Sequence, residues 1–391
     1  MIDNSLYEYM EGLLKALPTT FHRYMYDKIA WESRLVGIVG PRGIGKSTMM
    51  LQYIAEHRSN GLHLYVSADS IYFMTNTLHG LADDFAKDGG THLYIDEVHK
   101  YKGWSRELKQ IYDTHPDLKV TFSGSSVLDI YQGEADLSRR ALLYQMQGLS
   151  FREYLALFHN VETGIFSLDS ILSHEAQIPG ISHPLPLFRS YLESGYYPFS
   201  SEVGFAMRIE QIVSQTIEND IPQYADMKAS TARKLKRLLA VVSQLAPFKP
   251  NADNLAREVG VSKNNVAEYF VYLEKAGMIG QLRDETGGLR GLGKTEKIYI
   301  DNPTLMTVLA AGNPDIGNRR ETFFYNQMRV NNTVVASRIS DFCIGQYTFE
   351  IGGKKKGNKQ IESVDKGIVV RDDIEFGHAN IVPLWAFGLN Y

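Results

Sequence analysis

Apolar residues recur at helical spacing over 5–17, and the pattern stops before Pro18, where a helix is expected to end. The stretch 34–40, RLVGIVG, is instead a short continuous apolar run of the kind a buried strand shows. It runs through PRGIGKS into TMMLQYIAEH, whose periodicity is again helical. Further strands are predicted at 62–67 (LHLYVS), 92–95 (HLYI) and 118–123 (LKVTFS), with an amphipathic helix near 104–113. Strands alternating with helices predict a parallel sheet covered on both faces, the α/β class.

From about 127 to 245 the pattern reads as helical, including SFREYLALF, PLFRSYLE and a long segment over 205–244. Within it, 156–186 has weak periodicity and prolines near its end, and reads as an insertion or loop region. Over 251–299 two short helices meet tightly at Gly260. Leu255, Ala256 and Val259 line the first, and Val266, Tyr269, Phe270 and Leu273 the second. A hairpin pattern follows, so the whole reads as a winged helix-turn-helix. The remainder, 313–391, shows one helix (RRETFFYNQMRV) and short strands (QYTFEIGG, KGIVV), a small α+β unit.

Composition narrows the classes. With 391 residues, 44% apolar and 22% charged, the chain is neither collagen-like nor wholly disordered, and two to four domains are expected at roughly 100–200 residues each. A net charge of −4 gives no global field for steering nucleic acid. The single cysteine, Cys343, excludes an internal disulfide and a cysteine-rich zinc site, which makes the cytoplasm the default location. The start carries Asp3, Glu8 and Glu11, and no apolar run approaches the ~18 residues of a membrane span, so neither a signal peptide nor a membrane helix is expected.

The chemistry concentrates between the first strand and the helix that follows. Gly40-Pro41-Arg42-Gly43-Ile44-Gly45-Lys46-Ser47, with Thr48 next, satisfies GxxxxGK[ST], the phosphate-binding P-loop pattern. Glycines let successive backbone amides turn toward phosphate oxygens, and the helix start favours the same anion. Lys46 is expected on the β and γ phosphates of ATP or ADP, and the Ser47 hydroxyl on Mg²⁺. Downstream, Leu93-Tyr94-Ile95-Asp96-Glu97 is an apolar strand ending in two acids, the form of a Walker B element. Asp96 is the expected Mg²⁺-shell carboxylate, and Glu97 the general base for water, which favours hydrolysis over transfer to another acceptor. Ser123, at the end of the fourth strand in TFSGSS, is a candidate γ-phosphate sensor. Arg139, with Arg140 beside it, is a candidate transition-state cation. His99 follows the acidic pair closely, and its expected role is packing or hydrogen bonding. The eleven histidines form no HExxH zinc motif.

Taken in order, GPRGIGKST, LYIDEVHKYKGW, TFSGSS, GLSFREYL and SGYYP resemble a widespread group of prokaryotic AAA-type ATP-binding proteins whose C-terminal part is a domain of unknown function. The resemblance implies a P-loop ATPase core over 1–155, a helical lid and insertion over 156–245, a winged helix over 246–300, and a terminal domain over 301–391 resembling restriction-endonuclease folds. It carries the P-loop residues 40–48, Asp96, Glu97, Ser123 and Arg139 as site residues.

In the terminal segment Asp341, Glu350 and the run GGKKKGNKQ resemble the acid, acid, lysine set of metal-dependent nucleases, but position 352 is glycine where that pattern needs lysine. Lys354 takes the place only if the strand continues through Gly352-Gly353. The presumed recognition helix, 262–276, sets Lys263 and Lys275 against Glu268 and Glu274, leaving little to neutralise phosphates beyond Asn264 and Asn265 at base edges. The reading is a Mg²⁺-dependent ATPase acting as a nucleotide-driven switch, with a nucleotide-gated DNA-binding or nuclease effector as the alternative. Its expected partners are ATP and an unidentified protein, ahead of nucleic acid, with no membrane and oligomer formation left open.

Overall fold

The computed structural model describes residues 2–18, 21–124, 137, 139–224, 227, 229–285 and 294–391, and these fall into two compact units, Met1–Gln147 and Gly148–Tyr391. The first unit is built on a five-stranded, wholly parallel sheet: β1 (Leu35–Val39), β2 (Leu62–Ser67), β3 (Gly90–Asp96), β4 (Lys119–Gly124) and β5 (Leu142–Gln145), in the order β2-β3-β4-β1-β5. Helices α1 (Asn4–Lys15), α2 (Lys46–Glu56), α3 (Leu78–Lys87) and α4 (Trp104–Thr114) belong to the same unit. Strands β1 to β4 are near-continuous buried runs, as a sheet covered on both faces requires. Insertion of β4 between β1 and β3 sets the carboxyl end of β4 between the P-loop and the acidic pair.

The expected helical pattern beyond 127 needs one correction. Residues 142–145, LLYQ, are a strand, paired parallel to β1 with Val36 opposite Leu142 and Val39 opposite Gln145. This strand forms the edge of the sheet and is half exposed, so it shows neither a long apolar run nor helical periodicity, and pairing with β1 decides its conformation. Most of the stretch before it, including Ser125 and Ser126, lies outside the described residues.

The second unit opens with the helix Phe151–His159. Its Ser150 and Glu153 form a reciprocal capping box. Further helices span Leu168–Leu172, Leu185–Ser194, Phe205–Gln215 and Ala229–Leu245. Phe151, Leu155, Ile171, Ile178, Phe188 and Tyr191 share one core with Phe323, Phe349, Val370 and Trp385. The weakly periodic stretch 156–186 therefore contributes Ile171 and Ile178 to that core. The helices Ala252–Val259 and Lys263–Lys275 meet at Gly260, whose left-handed φ of 75° closes the first helix, and all seven apolar residues named for them are buried. The antiparallel pair β6 (Ile279–Arg283) and β7 (Thr295–Ile300) follows. After two more helices, Pro303–Leu309 and Ile316–Met328, comes a mixed sheet in the order β12-β11-β10-β9-β8, from β8 (Val334–Ala336), β9 (Phe342–Ile344), β10 (Tyr347–Gly352), β11 (Gly367–Arg371) and β12 (Ile381–Pro383). Among the described residues no helix is long and apolar enough to cross a membrane.

Candidate functional site

The segment between β1 and α2 is shaped by its glycines. Gly43 and Gly45 hold φ values of 76° and 97°, which side-chain-bearing residues rarely adopt, and a Cβ on Gly40 would lie 2.3 Å from the Met146 carbonyl oxygen. The buried Ile44 side chain anchors the loop, while Gly43 at its crown is exposed. Arg23, itself buried, donates to the Ile44 carbonyl and, at 2.7 Å, to that of Gln147, tying the loop to the chain just past β5. No local pattern marks Arg23, whose partners lie 21 and 124 residues away.

Lys46 is buried and donates to the carbonyls of Gly40 at 2.9 Å and Pro41 at 2.7 Å. Burial brings its ammonium down to about 8, opposed by the charges of Glu97 and Asp96 and reinforced by Arg42 and Arg23. Ser47 and Thr48 follow in the first turn of α2, both partly exposed.

Asp96 ends β3 and is 5% exposed. Its Oδ2 accepts from the Tyr65 hydroxyl at 2.6 Å and its Oδ1 from the Ser123 hydroxyl and, at 3.0 Å, from the Glu97 amide. The Ser47 side chain also lies near the Tyr65 hydroxyl, so one phenol on β2 bonds to one expected metal ligand and stands beside the other. Burial and the Asp96 charge push that phenol well above its ordinary value, keeping it a donor. Glu97 leaves the strand in a left-handed conformation, φ 51° and ψ 37°, which costs about 1–2 kcal/mol for a residue with a side chain. That turn directs its carboxylate to Arg42 of the loop and to the buried His99 Nε2, each 3.5 Å away.

A polyphosphate with Mg²⁺ fits these residues. The loop supplies left-handed glycines, a buried ammonium turned onto its carbonyls, and an adjoining hard-oxygen pair in the Ser47 hydroxyl and the Asp96 carboxylate, the donor type magnesium prefers. The structure therefore brings residues 40–48, Asp96, Glu97, Ser123 and His99 into one neighbourhood, with Ser123 turned to Asp96. Arg139 stands elsewhere. It is exposed in the turn before β5, whose first residue is opposite Val36, whereas the loop departs beyond Val39 at the other end of the sheet, about 10 Å of strand away. Arg140 is engaged by Asp113 through two 3.0 Å hydrogen bonds.

In the second unit Asp341 and Glu350 do meet lysines. Lys297 lies 3.1 Å from Glu321 and 3.4 Å from Asp341, and burial with the neighbouring Glu321 charge raises Asp341 to about 6, against the Ile351 amide and Lys297. The lysine that pairs with the buried Glu350 is Lys356, whose stem would be 2.6 Å from a Cβ at Gly352, while Lys354 is exposed. Lys263 of the second short helix is paired with Asp253 at 2.9 Å.

Comparison with known proteins agrees with the first unit. Residues 32–155 match a family described as "AAA domain", and residues 185–315 match a "Domain of unknown function (DUF8612)". A curated relative, "Uncharacterized protein MJ1637" of Methanocaldococcus jannaschii, is 24% identical over 298 residues, 71% of this chain, and the chain spans 63% of that protein's length. Among solved structures, the Walker-type ATPase PABY2304 of Pyrococcus abyssi aligns with 76% of this chain and 99% of its own at 12% identity and a TM-score of 0.45. AMPPCP-bound DnaA from Aquifex aeolicus aligns with 70% of this chain and 90% of its own at 14% identity and a TM-score of 0.26. Residues 32–155 thus match an AAA domain and carry the parallel sheet, phosphate loop and acidic strand end of a P-loop ATPase core, and residues 185–315 match a domain of unknown function.

Proposed function

We propose that the chain binds ATP with Mg²⁺ at residues 40–48 and hydrolyses it, acting as a nucleotide-driven switch. One observation carries this reading: the left-handed Glu97 follows the Asp96 that Ser123 and Tyr65 hold, and its carboxylate sits 3.5 Å from Arg42 of the loop. Lys46 and the loop amides bind the β and γ phosphates, and Ser47 and Asp96 hold the magnesium, which when bound neutralises phosphate charge. Glu97 takes the proton of the attacking water. Its pairing with Arg42 links that step to substrate. Phosphate oxygens compete for the guanidinium and release the carboxylate to act as base. Arg139, toward the far end of the sheet, is given no role in this reading.

The helical segment 156–245, the winged helix 246–300 and the terminal segment 301–391 are read as the parts that respond to nucleotide and engage a protein partner. The pairing of Lys263 with Asp253, which leaves the second short helix without a free lysine at its start, supports that reading over nucleic-acid binding. The test is Glu97→Gln beside Lys46→Ala, followed by phosphate release and by binding of a fluorescent ATP analogue. Glu97→Gln is expected to keep nucleotide binding and lose about 10²–10⁴-fold in turnover. Lys46→Ala weakens both. Undiminished hydrolysis by purified Glu97→Gln overturns the assignment of the base.

A further inference from the structure

Away from the nucleotide loop, α3 and the end of α4 bring His79, Asp83 and His115 together. His79 and Asp83 are four residues apart on α3 and share a face, and His115 is the residue that ends α4. Asp83 Oδ2 lies 3.4 Å from His79 Nδ1, and its Oδ1 lies 2.6 Å from His115 Nε2. The three side chains are 21%, 35% and 19% exposed, so they are packed yet open to an ion from solvent.

A neighbouring hydroxyl favours the His79 tautomer in which Nδ1 faces the carboxylate with a lone pair. Thr114 donates its hydroxyl proton to the Gln110 carbonyl at 2.8 Å, so toward His79 Nε2, 3.3 Å away, it accepts. In the tautomer this acceptor favours, with the proton on Nε2, Nδ1 presents a lone pair to a carboxylate oxygen 3.4 Å away, and a cation between them satisfies both. The 3.4 Å separation is close to the about 3.3 Å expected between two ligands that each lie ~2.0 Å from a tetrahedral ion, and the 2.6 Å hydrogen bond from His115 to Asp83 would be replaced by ligation. The cluster does not depend on an ion for its assembly. Glu107 of α4 accepts from the His79 amide at 2.9 Å and from the Tyr101 hydroxyl at 2.7 Å, holding the start of α3 in place.

We propose that His79 Nδ1, the Asp83 carboxylate and His115 Nε2 bind a first-row transition-metal dication of the Zn²⁺ type, with solvent completing its shell and Thr114 orienting His79 from outside it. Two imidazoles and a carboxylate suit such an ion, whereas Mg²⁺ takes oxygen donors, so this site is chemically separate from the one proposed for the nucleotide. The ion would tie α3 to the end of α4, the helices that precede β3 and β4 and thus the strands carrying Asp96 and Ser123.

Titration of the untagged, chelator-dialysed full chain with Co²⁺ tests this. One equivalent is expected, with the visible absorption of a four-coordinate site, displaced by Zn²⁺ and unaltered in Lys46→Ala. His79→Ala and His115→Ala each abolish the band. Thr114→Val, which keeps all three ligands, weakens Co²⁺ binding about 10–100-fold, the usual cost of losing an outer-shell partner. Absence of the band from the wild-type chain overturns the assignment, as does an unchanged band and affinity in His115→Ala. Should the histidine variants not fold, unchanged affinity in Thr114→Val overturns it.

Discussion

Removing the Tyr65 hydroxyl isolates what the structure adds to the motif. Tyr65→Phe deletes one 2.6 Å hydrogen bond to a carboxylate that is 5% exposed and one contact with Ser47, leaving the ring and its packing in place. A hydrogen bond to a charged group contributes about 1.5–3 kcal/mol, and Asp96 has few other routes to water once it is lost. In a unit of this size that lowers the midpoint of the transition containing it by about 3–12 °C. Because Tyr65 orients Asp96, a proposed metal ligand, the Mg²⁺ concentration for half-maximal turnover should rise about 10–100-fold. Nucleotide binding measured without metal, which depends on the loop and Lys46, should stay within about twofold of wild type. The assays are differential scanning fluorimetry, phosphate release across a Mg²⁺ series, and fluorescent-nucleotide titration in chelator. Wild-type Mg²⁺ dependence in a folded Tyr65→Phe would refute the claim that this phenol positions Asp96. A parallel loss of metal-free nucleotide binding would instead show that the substitution disturbs the loop.

Two further outcomes follow from packing and burial. A Cβ on Gly37 of β1 would lie 2.5 Å from Leu143 Cδ2 and 2.6 Å from Phe122 Cζ, so Gly37→Ala should destabilise the first unit by about 1–3 kcal/mol, with Leu143→Ala restoring part of it. Thermal melts of the two variants decide this, and a neutral Gly37→Ala would argue against β5 as the neighbour of β1. Asp341, raised to about 6 from an ordinary 3.8, holds a proton in the folded chain that the unfolded chain has released between those values. Its stabilising effect is complete below about 3.8 and is lost as pH rises through 6. Asp341→Asn, neutral throughout, should therefore gain on the wild type by about 1.4 kcal/mol between pH 5 and 7.5, because the wild type's remaining loss falls between 5 and 6. Urea unfolding of both chains at those two pH values measures it, and an equal gap at both would remove burial as the cause.

The phosphate loop and the acidic strand end were legible because their chemistry is local. Glycine at positions 43 and 45, lysine at 46 and two acids after an apolar strand are demanded by backbone conformation and phosphate charge within a few residues of chain. The two short helices that meet at Gly260 were legible for the same reason, since their apolar faces and that glycine specify them at short range. What the tertiary structure alone decided depends on partners far apart in sequence. Strand β5 exists because β1 pairs with it, Arg23 reaches the Gln147 carbonyl, Tyr65 on β2 finds Asp96 on β3, and Lys356 rather than Lys354 meets Glu350. His79 and His115, 36 positions apart, become neighbours only where α3 packs on α4. A single chain of residues carries its own torsional and periodic preferences, but side-chain encounters across elements are set by which faces bury together, and that is a property of the packed core.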